Sequence, residues 1–219
     1  MPPSASDAAR ARKIIRAREW IAALSLSAFC ALLAWQRLRA TFAFDAPLLQ
    51  WTYGQSNHVI DTASWWLARL GYGYGVLPFD AVLVAVLLLR RRIKDGVFAL
   101  AAFGGSLLLN TAIKHAVARA RPDLPGVAEL HHSYSFPSGH AMATATLAAV
   151  VITLAWRTRW RWAVVLGSIG FAAAVGAGRV QMGVHYPSDV LAGWAAGVAW
   201  ACLMHLLVMR QAKSGPSLE

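Results

Sequence analysis

The sequence predicts an all-α fold: an integral membrane bundle of six transmembrane helices. Three observations carry that reading. The chain of 219 residues is 58% hydrophobic and only 14% charged, with a mean hydropathy of +0.47. A soluble domain has about 45–50% apolar and about 25% charged residues. The excess falls in blocks about as long as a helix needs to cross a hydrocarbon core. The cations gather in the short connections between those blocks. A large soluble helical protein would need polar faces that these runs lack.

Taken in order, residues 1–18 are small, polar and basic, with Arg10, Arg12, Lys13, Arg16 and Arg18. They read as a tail leading into a helix. The first span runs from Trp20 to Trp35. No small-residue cleavage site follows it, so a signal peptide is the weaker reading. Residues 40–70 mix Phe42, Phe44, Trp51, Trp65 and Trp66 with Asp45, His58, Asp61 and Arg69, the pattern of short helices lying in a membrane interface. The second span covers about Gly71–Leu89 and contains Asp80, for which a structural role is expected. The third runs from about Gly96 to Ile113, where Gly104, Gly105 and Asn110 suit helix packing. A polar loop, 114–137, precedes the fourth span, Ser138–Trp156. The fifth covers Trp162–Gly178 and the sixth Pro187–Met209. The domain plan is therefore a basic tail (1–18), one six-helix domain (19–210) and a C-terminal tail (211–219).

Charge orients the bundle. The N-terminal tail, the connections at 90–94 and 157–161, and the C-terminal end carry 5, 4, 3 and 2 of the 21 Lys and Arg residues. The positive-inside rule puts that side, with both termini, in the cytoplasm. The net charge of +11 is spread over connections and forms no basic face, so nucleic acid is not an expected partner. The two cysteines, Cys30 and Cys202, lie inside apolar blocks and read as packing residues, with neither disulfide nor zinc spacing.

Three polar pieces fall on the opposite, periplasmic side: Lys114…Arg121-Pro122, Pro137-Ser138-Gly139-His140, and Arg179…His185…Asp189. The 38 residues between His140 and Arg179 suffice for two spans, so the chain leaves that face and returns to it. Together the pieces form an inventory for phosphoryl chemistry. Lys114, Arg121 and Arg179 supply cations suited to phosphate. At about 4 Å and an effective dielectric near 20, each contact is worth roughly 4 kcal/mol before desolvation. Ser138 and Gly139 open a helix whose first amides are exposed, which makes an anion cradle. Asp189, four residues after His185, can fix the tautomer of that ring and free its other nitrogen for attack. His140 can protonate the departing oxygen. No carboxylate cluster for a metal is apparent, and no cofactor is expected. Each piece alone has an ordinary reading: a helix cap, a loop pair, a hydrogen bond at a helix end. Their joint occurrence favours a site. His131 and His132 read as an exposed loop pair, and His58, His115 and His205 as interfacial or packing residues.

These motifs resemble those of the type 2 phosphatidic acid phosphatase family, which also includes vanadium-dependent haloperoxidases. The family pattern is Lys, six residues, Arg-Pro; then Pro-Ser-Gly-His; then Ser-Arg, five residues, His, three residues, Asp. The match covers roughly residues 60–205. It departs at one position, Gly178, where the family usually has Ser before the arginine. The resemblance implies metal-independent hydrolysis of a membrane lipid phosphate. By it, His185 is the nucleophile that forms a phosphohistidine, Asp189 its support and His140 the acid. Lys114, Arg121, Ser138, Gly139 and Arg179 hold phosphate. Undecaprenyl pyrophosphate, phosphatidylglycerophosphate, phosphatidic acid and lipid A phosphates are the substrates it suggests. A lipid phosphotransferase using the same site, and a non-catalytic lipid transporter or binding protein, are the competing functions. The oligomeric state stays open.

Overall fold

The computed structural model describes residues 5–39, 41–124 and 133–214, with side-chain detail within α1 and α8 covering 16–38 and up to 209, and among the described residues it has eight helices. They are α1 (Ala5–Arg39), α2 (Asp45–Gly54), α3 (His58–Leu70), α4 (Val76–Leu89), α5 (Ile93–Val117), α6 (Gly139–Ala155), α7 (Arg161–Gln181) and α8 (Pro187–Ser214). No strand occurs among the described residues. The basic segment expected as a tail is helical from Ala5 onward and continuous with the first apolar block. His131 and His132 lie outside the described residues.

Among the described residues four helices are long and apolar enough to cross a membrane: α1 over Arg16–Leu38, then α5, α7 and α8. The other two apolar helices are shorter, 14 residues in α4 and 17 in α6, against about 20 for a full span. Residues 71–75, expected inside the second span, form instead the turn between α3 and α4. Gly71 and Gly75 explain it. A side chain at Gly71 would strike Val175, and one at Gly75 would strike the backbone of Leu70.

The short helices expected between the first two spans are α2 and α3. Asn57 starts α3 by accepting hydrogen bonds from the amides of Val59 and Ile60, both 3.1 Å, as a good N-cap does. Arg69 closes it over the ring of Trp65, 3.9 Å away.

The core is built on α6 and α8. Gly193 and Gly197 let the two backbones touch: a Cβ on Gly193 would sit 2.6 Å from the Ser138 carbonyl, and one on Gly197 2.5 Å from that of Met142. Small residues that allow such approach are the usual currency of helix packing in membranes. On the far side of this pair, Phe98, Ala102, Val150 and Ala201 join α5, α6 and α8. Nearer the start of α6, Phe29, Phe136, Met142 and Ala196 pack α1 against them. Gly105 admits the ring of Trp200, as expected of a packing glycine, whereas nothing approaches Gly104. Cys30 is exposed on α1 and Cys202 half-buried, so only the second packs inside the bundle.

Candidate active site

Three backbone devices bring the polar pieces together. α5 runs four residues past its expected end and stops at Ala118, whose left-handed φ of 52° turns the chain while its amide bonds the Lys114 carbonyl at 2.8 Å. α7 ends in a turn through Gly183, φ 69°, a conformation that suits glycine. That turn folds Val184 back onto the Arg179 carbonyl at 3.3 Å, so Arg179 and His185 share one corner. Third, the Ser138 amide donates to the Asp189 carbonyl at 2.9 Å. This bond ties the start of α6 to the start of α8, which Pro187 opens.

His185 is buried, and its surroundings assign its tautomer. Its Nδ1 lies 3.6 Å from Asp189 Oδ2 and 3.3 Å from Ser135 Oγ. The Ser135 hydroxyl donates to Asp189 Oδ2 at 2.5 Å. A hydroxyl has one proton, so toward His185 it can only accept. The ring then carries its proton on Nδ1. On the other side, Arg121 Nη1 stands 3.4 Å from Nε2, and a guanidinium only donates. The assignment leaves a lone pair on Nε2, facing Arg121.

Those cations act on one another. The charges of Arg121 and Arg179 both bear on Lys114, and that of Arg121 bears on Arg179. Arg121 is held by the Ser133 and Val184 carbonyls, both at 2.7 Å. Burial pushes its guanidinium below the ordinary value, while Asp189 works in the opposite sense. The Lys114 ammonium donates to the Tyr134 carbonyl. Arg179 is 2% exposed. Three cations so close repel, and a multiply charged anion among them relieves the repulsion.

Ser138 is fully buried, yet its Oγ has no hydrogen-bond partner. It stands at the N-cap of α6 with extended backbone, φ −67° and ψ 119°, and makes no capping bond. A buried hydroxyl without a partner is costly, and a phosphate oxygen is a fitting acceptor. Gly139 follows, with the amide of Asn110 against it: a Cβ there would lie 3.1 Å from Asn110 Oδ1. Asn110 also donates to the Pro137 carbonyl at 3.4 Å. It therefore braces the turn and does more than pack helices. The ring of His140 lies against Tyr72, centroids 5.0 Å apart; burial raises the phenol of Tyr72 above its ordinary value.

Several site residues escaped sequence reasoning. Arg119 is among them. In the structure it is buried and bonds Asp189 Oδ1 at 2.6 Å and Asp45 Oδ2 at 2.8 Å, with its guanidinium 4.1 Å over the ring of Tyr186. Asp45 in turn accepts from the amide and hydroxyl of Ser188, at 2.9 and 2.6 Å. Ser135 and Tyr72 were also missed. Among the described residues no three His, Cys, Asp or Glu side chains gather as a metal-ligand group.

Asp80 is 7% exposed, and its Oδ1 is buried without a hydrogen-bond partner. It lines a cavity of about 20 Å³ with Tyr72, Ser106, Asn110 and Thr146, beside Gly139.

Comparison with known proteins gives the family. The chain is 34% identical over 139 residues to phosphatidylglycerophosphatase B of Bacillus subtilis, covering 60% of this chain and 67% of that one. It is 32% identical over 147 residues to an undecaprenyl-diphosphatase of Sulfolobus acidocaldarius, covering 65% and 67%. The crystal structure of a transmembrane phosphatidylglycerolphosphate phosphatase from Bacillus subtilis superposes with a TM-score of 0.75 at 25% identity, over 91% of this chain and 100% of that one. The fold of Aquifex aeolicus LpxE is also similar, with a TM-score of 0.61 at 22% identity over 77% of this chain and 96% of the other. Residues 95–213 match the PAP2 superfamily, and the chain belongs to it.

Proposed function

We propose that this chain is a metal-independent phosphatase of membrane lipid phosphates or pyrophosphates, working through a phosphohistidine on His185. The observation that carries the reading is the two-sided setting of His185. Nδ1 faces Ser135 and Asp189, and Nε2 faces Arg121. An imidazole held in that tautomer is a nucleophile aimed at whatever anion the cations collect.

In the first step, Nε2 attacks phosphorus and the bond to the leaving oxygen breaks. His140 gives its proton to that oxygen, which departs as a lipid hydroxyl or a lipid phosphate. Lys114, Arg121 and Arg179, with the Ser138 hydroxyl and the first amides of α6, take up the charge on the equatorial oxygens. In the second step, water attacks the phosphohistidine, His140 accepts a proton from it, and the N–P bond breaks to release inorganic phosphate. Asp189 stabilises the positive charge on the imidazole while the bond to phosphorus exists.

The membrane setting follows from the same reading. The six apolar helices α1 and α4–α8 lie in the inner membrane, with both termini cytoplasmic and the site at the periplasmic face. Sidedness rests on the basic connections. Relatives named for phosphatidylglycerophosphate, undecaprenyl diphosphate and lipid A 1-phosphate define the substrate class to try first.

The test is phosphate release from a panel of these lipids by the purified protein with EDTA present, beside His185→Ala. Release by the wild type and none by the variant is expected, with radiolabel from a labelled substrate trapped on wild-type protein as an acid-labile adduct. Full activity in His185→Ala, or loss of wild-type activity in EDTA restored by a metal, overturns the mechanism.

A further inference from the structure

The bundle has a second concavity, away from the candidate active site. A cavity of about 550 Å³ opens between α1 and α7 and is floored by α6 and α8. That volume is within the range of about 300–1,000 Å³ that ligand pockets occupy. The floor and walls are small and apolar, among them Ala148, Ala172, Ala173 and Val198. They offer water few partners, so the space is unsuited to it. Between membrane helices, hydrocarbon is the natural filler.

One end of the cavity is charged. Arg18 lines it beside Trp156. Its guanidinium bonds the ring of His205 at 2.6 Å and forms no ion pair with an acidic side chain among the described residues. Arg157, exposed on the turn after α6, adds a second positive charge that bears on Arg18. This end is opposite the candidate active site. His205 packs edge-on against Phe98 in the first turns of α5, whereas Lys114 stands in its last turn. A substrate whose phosphate meets His185 therefore has its head group at the other end of the bundle.

We propose that this fissure binds one anionic phospholipid, with an acyl chain in the slot and its phosphate on Arg18 and Arg157. Basic pockets between membrane helices recognise such head groups, and the tryptophan suits the interface depth. The inference needs the bundle to lie in a bilayer but not the phosphatase reading.

The test is native mass spectrometry of the full chain, stripped of lipid in detergent and titrated with phosphatidylglycerol or phosphatidylcholine of the same chains. One phosphatidylglycerol per chain, held at least about tenfold more tightly than phosphatidylcholine, is expected. The Arg18→Ala, Arg157→Ala double variant should bind both lipids alike. Ala173→Trp, at an exposed position on the lip, should weaken both. Thermal melting keeps the test open should the double variant misfold: phosphatidylglycerol should raise the melting temperature of the wild type, and raise it less in Arg157→Ala, whose side chain lies at the surface. Equal retention of the two lipids by the wild type, unchanged binding in Ala173→Trp, or an equal rise in melting temperature in Arg157→Ala overturns the site. Catalytic turnover enters none of these readouts.

Discussion

Arg119 Nη1 lies 2.6 Å from Asp189 Oδ1 while its Nη2 holds Asp45 at 2.8 Å, so one buried cation joins α2 to the start of α8. Both carboxylates are almost wholly out of water. Removing the shared partner of two buried acids leaves their charge uncompensated, at a cost of about 3–5 kcal/mol. Arg119→Gln should therefore lower the melting temperature clearly and abolish turnover. Adding Asp45→Asn should recover part of the stability, because one stranded charge is then gone, but little of the activity, because Asp189 still lacks its clasp. Melting curves and turnover of the single and double variants check this. An unchanged melting temperature in Arg119→Gln would remove the clasp from the account.

Ser138→Ala separates a ligand role from a structural one. The hydroxyl is buried and has no partner within the described structure. Deleting it strands nothing, so thermal stability should hold or rise by up to about 1 kcal/mol. A hydrogen bond to a charged phosphate is worth about 1.5–3 kcal/mol, so kcat/KM should fall about 10- to 100-fold. Equal activity at equal stability would mean that the hydroxyl does not touch substrate.

The candidate site was legible where its residues are local in sequence. Lys114 with Arg121, Ser138 with His140, and His185 with Asp189 each sit within eight residues, and each pair lies at the end of an apolar block. Their meeting could be argued from span length alone. Arg119, Ser135 and Asp45 were not legible, because their partners lie 70, 54 and 143 residues away. No local pattern marks such contacts. The one available signal was scarcity: in a chain with only ten acidic residues, Asp45 and Asp189 both need a cation if buried. Span lengths were legible only in part, since α4 yields its first residues to a glycine turn whose cause is the packing of Gly71 against Val175.

Asp80→Asn tests the structural reading of that residue. A buried carboxylate oxygen without a partner opposes folding, and a neutral amide of the same shape opposes it less. The variant should melt at an equal or higher temperature and keep turnover within about twofold. A tenfold loss of turnover in a well-folded Asp80→Asn protein would instead draw the cavity beside Gly139 into the reaction.

Gly178→Ser asks what the departure from the family pattern means. A Cβ at this position would lie 3.5 Å from Ser64 Cα and 3.6 Å from Ser64 Cβ, which is ordinary contact. Two residues earlier the same change would drive a Cβ to 2.4 Å from the ring of Trp194 at Gly176, so the two glycines differ in kind. Gly178→Ser should fold as the wild type does, whereas Gly176→Ser should lose stability. Because position 178 directly precedes Arg179, a hydroxyl there can supply one hydrogen bond to the site, worth about 0.5–1.5 kcal/mol. An increase of about two- to tenfold in kcat/KM is the expected outcome, with the melting temperature unchanged. A loss of activity would show that the chain has adapted around the missing side chain and that α3 at Ser64 needs the glycine.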